Sequence, residues 1–133
     1  NKYISIVKAA KDQILKNVGV AYIDLNGLKA INDNYGHSNG DKFICTAADT
    51  FKMVFPDNSY RIGGDEFVII EQNIERDKYE ERITALKNIM QDKQVSISIG
   101  VLWREYVDDL EELLKAADKL MYKEKEMYHN NRE

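Results

Sequence analysis

Arg61-Ile62-Gly63-Gly64-Asp65-Glu66-Phe67-Val68-Ile69-Ile70 is the stretch around which the chain is organised. Two apolar, β-prone runs, Ser59 to Ile62 and Phe67 to Ile70, flank a pair of glycines followed directly by two carboxylates. That pattern predicts a hairpin whose tip carries acid. Gly63 and Gly64 can take positive φ without a Cβ clash, and they let a large anion approach the main chain closely. If the second strand has begun by Asp65, then Asp65 and Glu66 point to opposite faces, and only one of them should face a given ligand. Taken alone, the tip also reads as an ordinary turn with solvated acids.

A second acidic strand end stands upstream. Val18 to Leu25 is short, mostly apolar and rich in Val and Ile, which fits a strand buried on both faces, and it ends at Asp24. A carboxylate ending a buried strand is costly unless a cation or hydrogen-bond donors receive it. The plainer alternative is that Asp24 caps the following helix through Asn26-Gly27. A calcium loop starting at Asp24 is excluded, because Lys29 and Tyr35 stand where such a loop needs glycine and an acid.

Before that strand, Tyr3, Val7, Ala10 and Ile14 recur at helical spacing, and Gly19 is expected to close the helix. After it, Leu28 to Asp33 reads as a short helix, and Gly36 and Gly40 bracket a loop. Ser38 and Asp41 have capping-box spacing ahead of a helix to about Phe55, with a buried stripe of Ile44, Ala47, Ala48, Phe51, Val54 and Phe55. Gly36 to Lys42 is not a P-loop, since the glycine spacing is short and no Ser or Thr follows Lys42. Singly, Asn32, His37 and Asp41 read as loop hydrogen-bonders and caps.

Beyond the hairpin, Asn73 to Asp92 is predicted helical, with Tyr79, Ile83, Leu86 and Met90 on one face. Val95 to Val101 alternates strictly as a strand, its serine face expected to be the less buried. Asp108 or Asp109 caps a last helix striped by Leu110, Leu113, Leu114, Ala117 and Met121. Lys115, Lys119, Lys123 and Lys125 on that helix read as a solvated face complementing the helix dipole. Strands separated by helices, with one hairpin, predict an α/β (α+β) fold: a mixed sheet layered with helices. If neighbouring strands carry Asp24 and Asp65, the two form an oxygen-rich site of the kind magnesium prefers.

Composition sets the bounds. The 133 residues make one domain, 1–133, able to bury about two-thirds of its unfolded surface. Cys45 is the only cysteine, so no disulfide forms within the chain, and on an apolar helix it is expected in the core. There is no signal peptide and no apolar stretch long enough to cross a membrane, which makes the cytoplasm the expected compartment; any membrane tether would lie in other parts of the protein. A net charge of −4 makes long nucleic acid a poor partner. A small phosphorylated substrate brought in with metal ions is compatible, because the cations supply the positive charge. The chain opens on Asn1-Lys2-Tyr3 already inside an apparent helix, as expected of a module within something longer.

Four motifs in order and spacing resemble the GGDEF domains, the diguanylate cyclases. Gly63-Gly64-Asp65-Glu66-Phe67 is the family's naming motif, and Asp24-Leu25-Asn26-Gly27-Leu28-Lys29-Ala30-Ile31-Asn32-Asp33 is similar to its metal-binding strand end and following helix. Gly36-His37 with Gly40-Asp41, and Ala117 to Lys125, resemble its remaining two motifs. The resemblance implies a palm-like, largely antiparallel sheet flanked by helices, as in nucleotidyl cyclases. It also implies condensation of two GTP into cyclic di-GMP with release of two pyrophosphates.

By position, the resemblance gives Asp24, Asp65 and the Leu25 carbonyl to two magnesium ions, for which manganese can substitute. Asp65 is then the usual proton acceptor, although a carboxylate between cations is a weak base, so metal activation assisted by Glu66 is the better account. Gly64 would lie against the phosphates, Asn32 and Asp41 would read guanine, His37 would contact substrate, and Lys29 and Lys125 would meet the terminal phosphates. One GTP per domain implies a homodimer for catalysis and, in the full-length protein, a regulatory sensory domain.

Three departures accompany the resemblance. Val54-Phe55-Pro56-Asp57 lacks the arginine of the family's inhibitory product site, so feedback by that route is not expected. Tyr128-His129-Asn130 replaces the usual Gly-Arg-Asn, which suggests one missing phosphate contact. The Asp-x-Leu-Thr segment that normally stands before the position of Asn1 is not in the chain, and its loss is expected to lower stability or activity. The alternative to a cyclase is therefore a domain of the same family that binds GTP and regulates a neighbouring domain without turnover.

Overall fold

The computed structural model describes residues 2–131, so Asn1, Arg132 and Glu133, and the side chains of Lys2, Tyr3 and Asn131, lie outside the description. The elements are α1 (Lys2–Ala9), β1 (Leu15–Leu25), α2 (Leu28–Tyr35), α3 (His37–Val54), β2 (Ser59–Arg61), β3 (Glu66–Glu71), α4 (Arg76–Asp92), β4 (Ile97–Val107) and α5 (Leu110–Asn131). The strands form one sheet in the order β2-β3-β1-β4, and all three pairings are antiparallel. The α+β architecture and the predicted hairpin are both present.

Strand alternation divides the core in two. Ala21, Ile23 and Leu25 of β1 face α3 and α4, where they pack with Phe51, Phe55, Tyr79 and Leu86. Val18 and Val20 turn the other way, onto Leu113, Leu114 and Ala117 of α5. Each fully buried aliphatic or aromatic side chain contributes about 1.5–3 kcal/mol. With both faces covered, β1 is the central strand that its unbroken apolar run predicts.

Several local expectations are corrected. Helix α1 stops at Ala9, and Asp12 takes positive φ (63°) in the turn that follows, which leaves Ile14 exposed and starts β1 at Leu15. Gly19 therefore does not close a helix; it sits inside β1 beneath the Tyr79 ring. Helix α3 begins at His37 with Gly36 as N-cap and no side-chain cap, so the Ser38 and Asp41 spacing does not form a capping box. Cys45 is exposed, because it follows Ile44 by about 100° around the helix, away from the buried stripe.

Strand β4 runs on to Val107, since pairing with the equally long β1 recruits residues beyond the alternating segment. Ser98, expected on the less buried face, is fully buried under α5. Asp109 rather than Asp108 caps α5, its Oδ1 accepting from the Glu112 amide at 3.1 Å. Among the described residues no helix is long and apolar enough to cross a membrane.

Candidate active site

Asp24, next to last in β1, falls in the same alternation phase as Val18 and Val20, so its side chain lies on the α5 face. The antiparallel register sets Glu66 of β3 on one side of it and Ser98 of β4 on the other. From α5, Lys125 reaches across, and its Nζ lies 2.6 Å from Asp24 Oδ2. Asp24 Oδ1 is buried and has no hydrogen-bond partner. Asp24 is not a helix cap: the N-cap of α2 is Gly27, at φ 80° with no side-chain hydrogen bond. Lys125 is not part of a solvated face, unlike Lys115, which is exposed and pairs only with Glu111.

Asp65 comes to Asp24 from the hairpin tip. Its carbonyl accepts from the Leu25 amide at 2.9 Å, extending the β1–β3 ladder by one bond past the last paired residues. Its carboxyl group is within hydrogen-bonding reach of that of Asp24. β3 begins at Glu66, so Asp65 is not yet in the strand and alternation does not send the two acids to opposite sides. Both approach Asp24, and Asp118 of α5 adds to the negative field at Glu66.

Asp24 and Glu66 are unfavourably placed for ionisation. Burial, then the neighbouring Asp65, raises the Asp24 pKa, with the Lys125 hydrogen bond opposing. Burial also raises Glu66, followed by the charges of Asp24, Asp118 and Asp65. Among the described residues no group of three or more His, Cys, Asp or Glu side chains is arranged to hold a metal ion. Asp24 and Asp65 are nevertheless a pair of hard oxygen donors, one with an orphaned buried oxygen, and that fits a divalent cation completed by carbonyl, water or phosphate oxygens.

A cavity of about 320 Å³ opens beside the pair, lined by Leu25, Gly27, Lys29, Asp65, Lys125 and His129 among others. Two lysines and a histidine thus face the same space as two acids, Asp33 and Asp65. Reading the residues missed His129, which enters because α5 continues to Asn131 and carries it past Gly27. The strand end is fixed by Asn26, whose Nδ2 donates to Ser96 Oγ at 3.0 Å and whose Oδ1 accepts from Ser98 Oγ at 2.9 Å.

The remaining predicted residues occupy α2, α3 and the tip. Asn32 Oδ1 is buried without a partner and presses on Gly40, where a Cβ would collide with it. Asp41 follows that glycine on the exposed side of α3, and His37 is exposed at the helix start. Asn32, His37, Asp41, Gly64 and Glu66 do not line the cavity with the lysines. Gly63 and Gly64 do not have positive φ; among the described glycines that conformation occurs at Gly27 and Gly36. A Cβ at Gly64 would meet nothing within 4 Å, so no protein group demands a glycine there. Arg61 holds the tip, with Nε and Nη2 donating to the Gly63 and Gly64 carbonyls at 3.1 and 2.7 Å.

Comparison with known proteins identifies the family. The chain is 38% identical over 124 residues to the signaling protein YkoW of Bacillus subtilis, covering 83% of this chain and 15% of that protein. It is 32% identical over 129 residues to the diguanylate cyclase VdcA of Vibrio cholerae, covering 86% of this chain and 38% of that one. The chain thus spans well under half the length of these relatives. The FimX GGDEF domain of Pseudomonas aeruginosa shares the fold, with a TM-score of 0.79 at 19% identity over 92% of this chain and 85% of that one. The profile described as "Diguanylate cyclase, GGDEF domain" matches residues 4–131, and the chain belongs to the GGDEF domain family.

Proposed function

We propose that the chain is a diguanylate cyclase domain, joining two GTP into cyclic di-GMP with release of two pyrophosphates. The observation that carries this reading is the convergence of Asp24 from the end of β1 and Asp65 from the hairpin tip, with Asp24 Oδ1 buried and unpartnered beside a cavity bearing Lys29 and Lys125. Asp24, Asp65 and the Leu25 carbonyl would hold magnesium or manganese. Bound there, a pair of divalent ions supplies polarisation of an α-phosphate and acidification of an attacking 3′-hydroxyl.

The chain's own residues do the rest. Lys29 and Lys125 hold the terminal phosphates, which keeps the departing pyrophosphate charge compensated. Asn32 and Asp41 receive the guanine edge, where a carboxylate accepts from N1–H and the N2 amine, a pattern adenine lacks. His37 contacts the same nucleotide. The exposed Gly64 leaves the phosphates free to approach the hairpin tip. Glu66, whose pKa is raised by burial and neighbouring acids, assists the activation of the hydroxyl from beside Asp65.

Each domain presents one GTP, so two copies face each other, each 3′-oxygen attacking the partner nucleotide's α-phosphorus. A sensory domain elsewhere in the full-length protein controls that encounter, and the domain works in the cytoplasm. The second reading, a domain that binds GTP and regulates a neighbour, is favoured by Tyr128-His129-Asn130 and by Val54 at the arginine position of the product site. Incubating the chain at high concentration, or fused to a dimeriser, with GTP and magnesium separates them. One cyclic dinucleotide per two pyrophosphates is expected, and GTP binding without conversion overturns the cyclase.

A further inference from the structure

Lys125 and Asp24 are 101 positions apart in sequence, yet Nζ stands 2.6 Å from Oδ2, with 24% of the lysine side chain and 9% of the aspartate side chain exposed. The ammonium satisfies only half of the carboxylate, because Oδ1 stays buried without a partner. The same lysine lines the cavity with Lys29 and His129. One cation therefore touches Asp24 of the acidic pair and lines the space next to it.

We infer that Lys125 sets the site's affinity for divalent ions, its ammonium standing in for a metal at Asp24 until nucleotide gives it another partner. This rests on Asp24 and Asp65 being the metal ligands. A divalent ion held by Asp24 would stand near that ammonium, and beside so buried a carboxylate the repulsion would be only weakly screened. The flexible four-carbon stem lets the ammonium leave without moving α5. The ammonium's charge also reaches Glu66, and the lysine lines the cavity, where anionic phosphates can receive it. Metal alone then binds weakly, nucleotide and metal bind well together, and the coupling is reciprocal.

The test is titration of the full chain at pH 8 with Mn²⁺ alone, followed by electron paramagnetic resonance and calorimetry, and separately with a non-hydrolysable GTP analogue. In Lys125→Met and Lys125→Gln, Mn²⁺ alone should bind about tenfold more tightly, as expected for removing one like charge near the site. Affinity for the analogue should fall in the same variants. Unchanged or weaker Mn²⁺ binding in both folded variants overturns the inference. Asp24→Asn separates the two levels: if it leaves Mn²⁺ binding unchanged, the metal assignment itself fails. If it weakens Mn²⁺ while the Lys125 variants do not tighten it, only the role of Lys125 fails.

Discussion

The Tyr79 ring lies flat against Gly19, close enough that a Cβ on Gly19 would stand 2.5 Å from ring carbon Cε1. The hydroxyl of the same tyrosine donates to the buried Val20 carbonyl, so one side chain packs on β1 and satisfies its backbone one residue further on. Gly19→Ala is therefore expected to displace the ring and cost about 1–3 kcal/mol. Tyr79→Phe, which removes that hydrogen bond while Val20 keeps its place opposite Leu102 in the β1–β4 ladder, should cost about 0.5–1.5 kcal/mol. The double variant should cost less than the sum, because both changes act on one contact. Urea unfolding of the three variants checks this, and strict additivity would show the contact to be absent.

Gly100 should be less forgiving. A Cβ there would collide with the Ala117 carbonyl and lie 2.6 Å from the Met121 amide nitrogen, and these are backbone atoms that no rotamer change can move. Gly100→Ala must push α5 off β4, and α5 carries Lys125 and His129 into the site. A loss of at least about 3 kcal/mol is expected, at the upper end of overpacking costs. GTP affinity should weaken together with melting temperature. A variant as stable as the parent would mean that α5 is not pinned there.

These two glycines mark where the sequence stops being legible. Hydrophobic periodicity located the strands and the stripe of Tyr79, Ile83, Leu86 and Met90, because burial of a face is written in local spacing. Asp24 and Asp65 were visible as acids ending apolar strands, and the resemblance to a known family then paired them. Gly19 was misread because the residues before it keep helical spacing through Ile14, and only a ring arriving from position 79 shows why no side chain fits. The Lys125–Asp24 pair was hidden for the same reason: a lysine on a helix looks solvated until the tertiary fold brings an acid beneath it. Ser98 was misjudged because its burial comes from α5, not from its own strand.

The metal-free protein should lose stability as pH rises through the acid range. Asp24 and Glu66 both have pKa values raised in the fold, so the folded state binds more protons than the unfolded state above about pH 4, where free carboxyls ionise. Stability is then full below that pH and declines until the raised folded values are passed. Melting curves in chelator from pH 4 to 8 should show this decline, and Asp24→Asn should flatten it. A slope that Asp24→Asn leaves unchanged would place the responsible groups elsewhere.

Asp65→Ala should abolish turnover and leave the fold intact. The bond that fastens the hairpin tip to β1 uses the Asp65 carbonyl, which alanine keeps, and the lost carboxyl relieves its repulsion with Asp24. The melting temperature of the metal-free variant should equal or exceed that of the parent. Cyclic dinucleotide formation should fall by at least about a thousandfold, as when one member of a catalytic unit is removed. Retained synthesis in this variant would reject the metal assignment.

Asp41→Ser tests the base-reading role away from the acidic pair. Asp41 sits exposed on α3 directly after Gly40, and the Asn32 oxygen that rests on Gly40 is buried with no partner of its own. The Asn32 oxygen is thus held by packing against the residue that precedes Asp41, with hydrogen-bonding capacity unspent. A carboxylate there accepts from both guanine N1–H and the N2 amine, whereas serine can accept from only one. Loss of a bidentate contact corresponds to about 1–3 kcal/mol of discrimination, so selectivity for GTP over ATP should fall by roughly 5- to 150-fold. Melting temperature should hardly change, since the Asp41 side chain is exposed on α3. Competition binding with the two nucleotides reads the ratio directly, and an unaltered ratio would remove Asp41 from the base site even if the domain proves to be a cyclase.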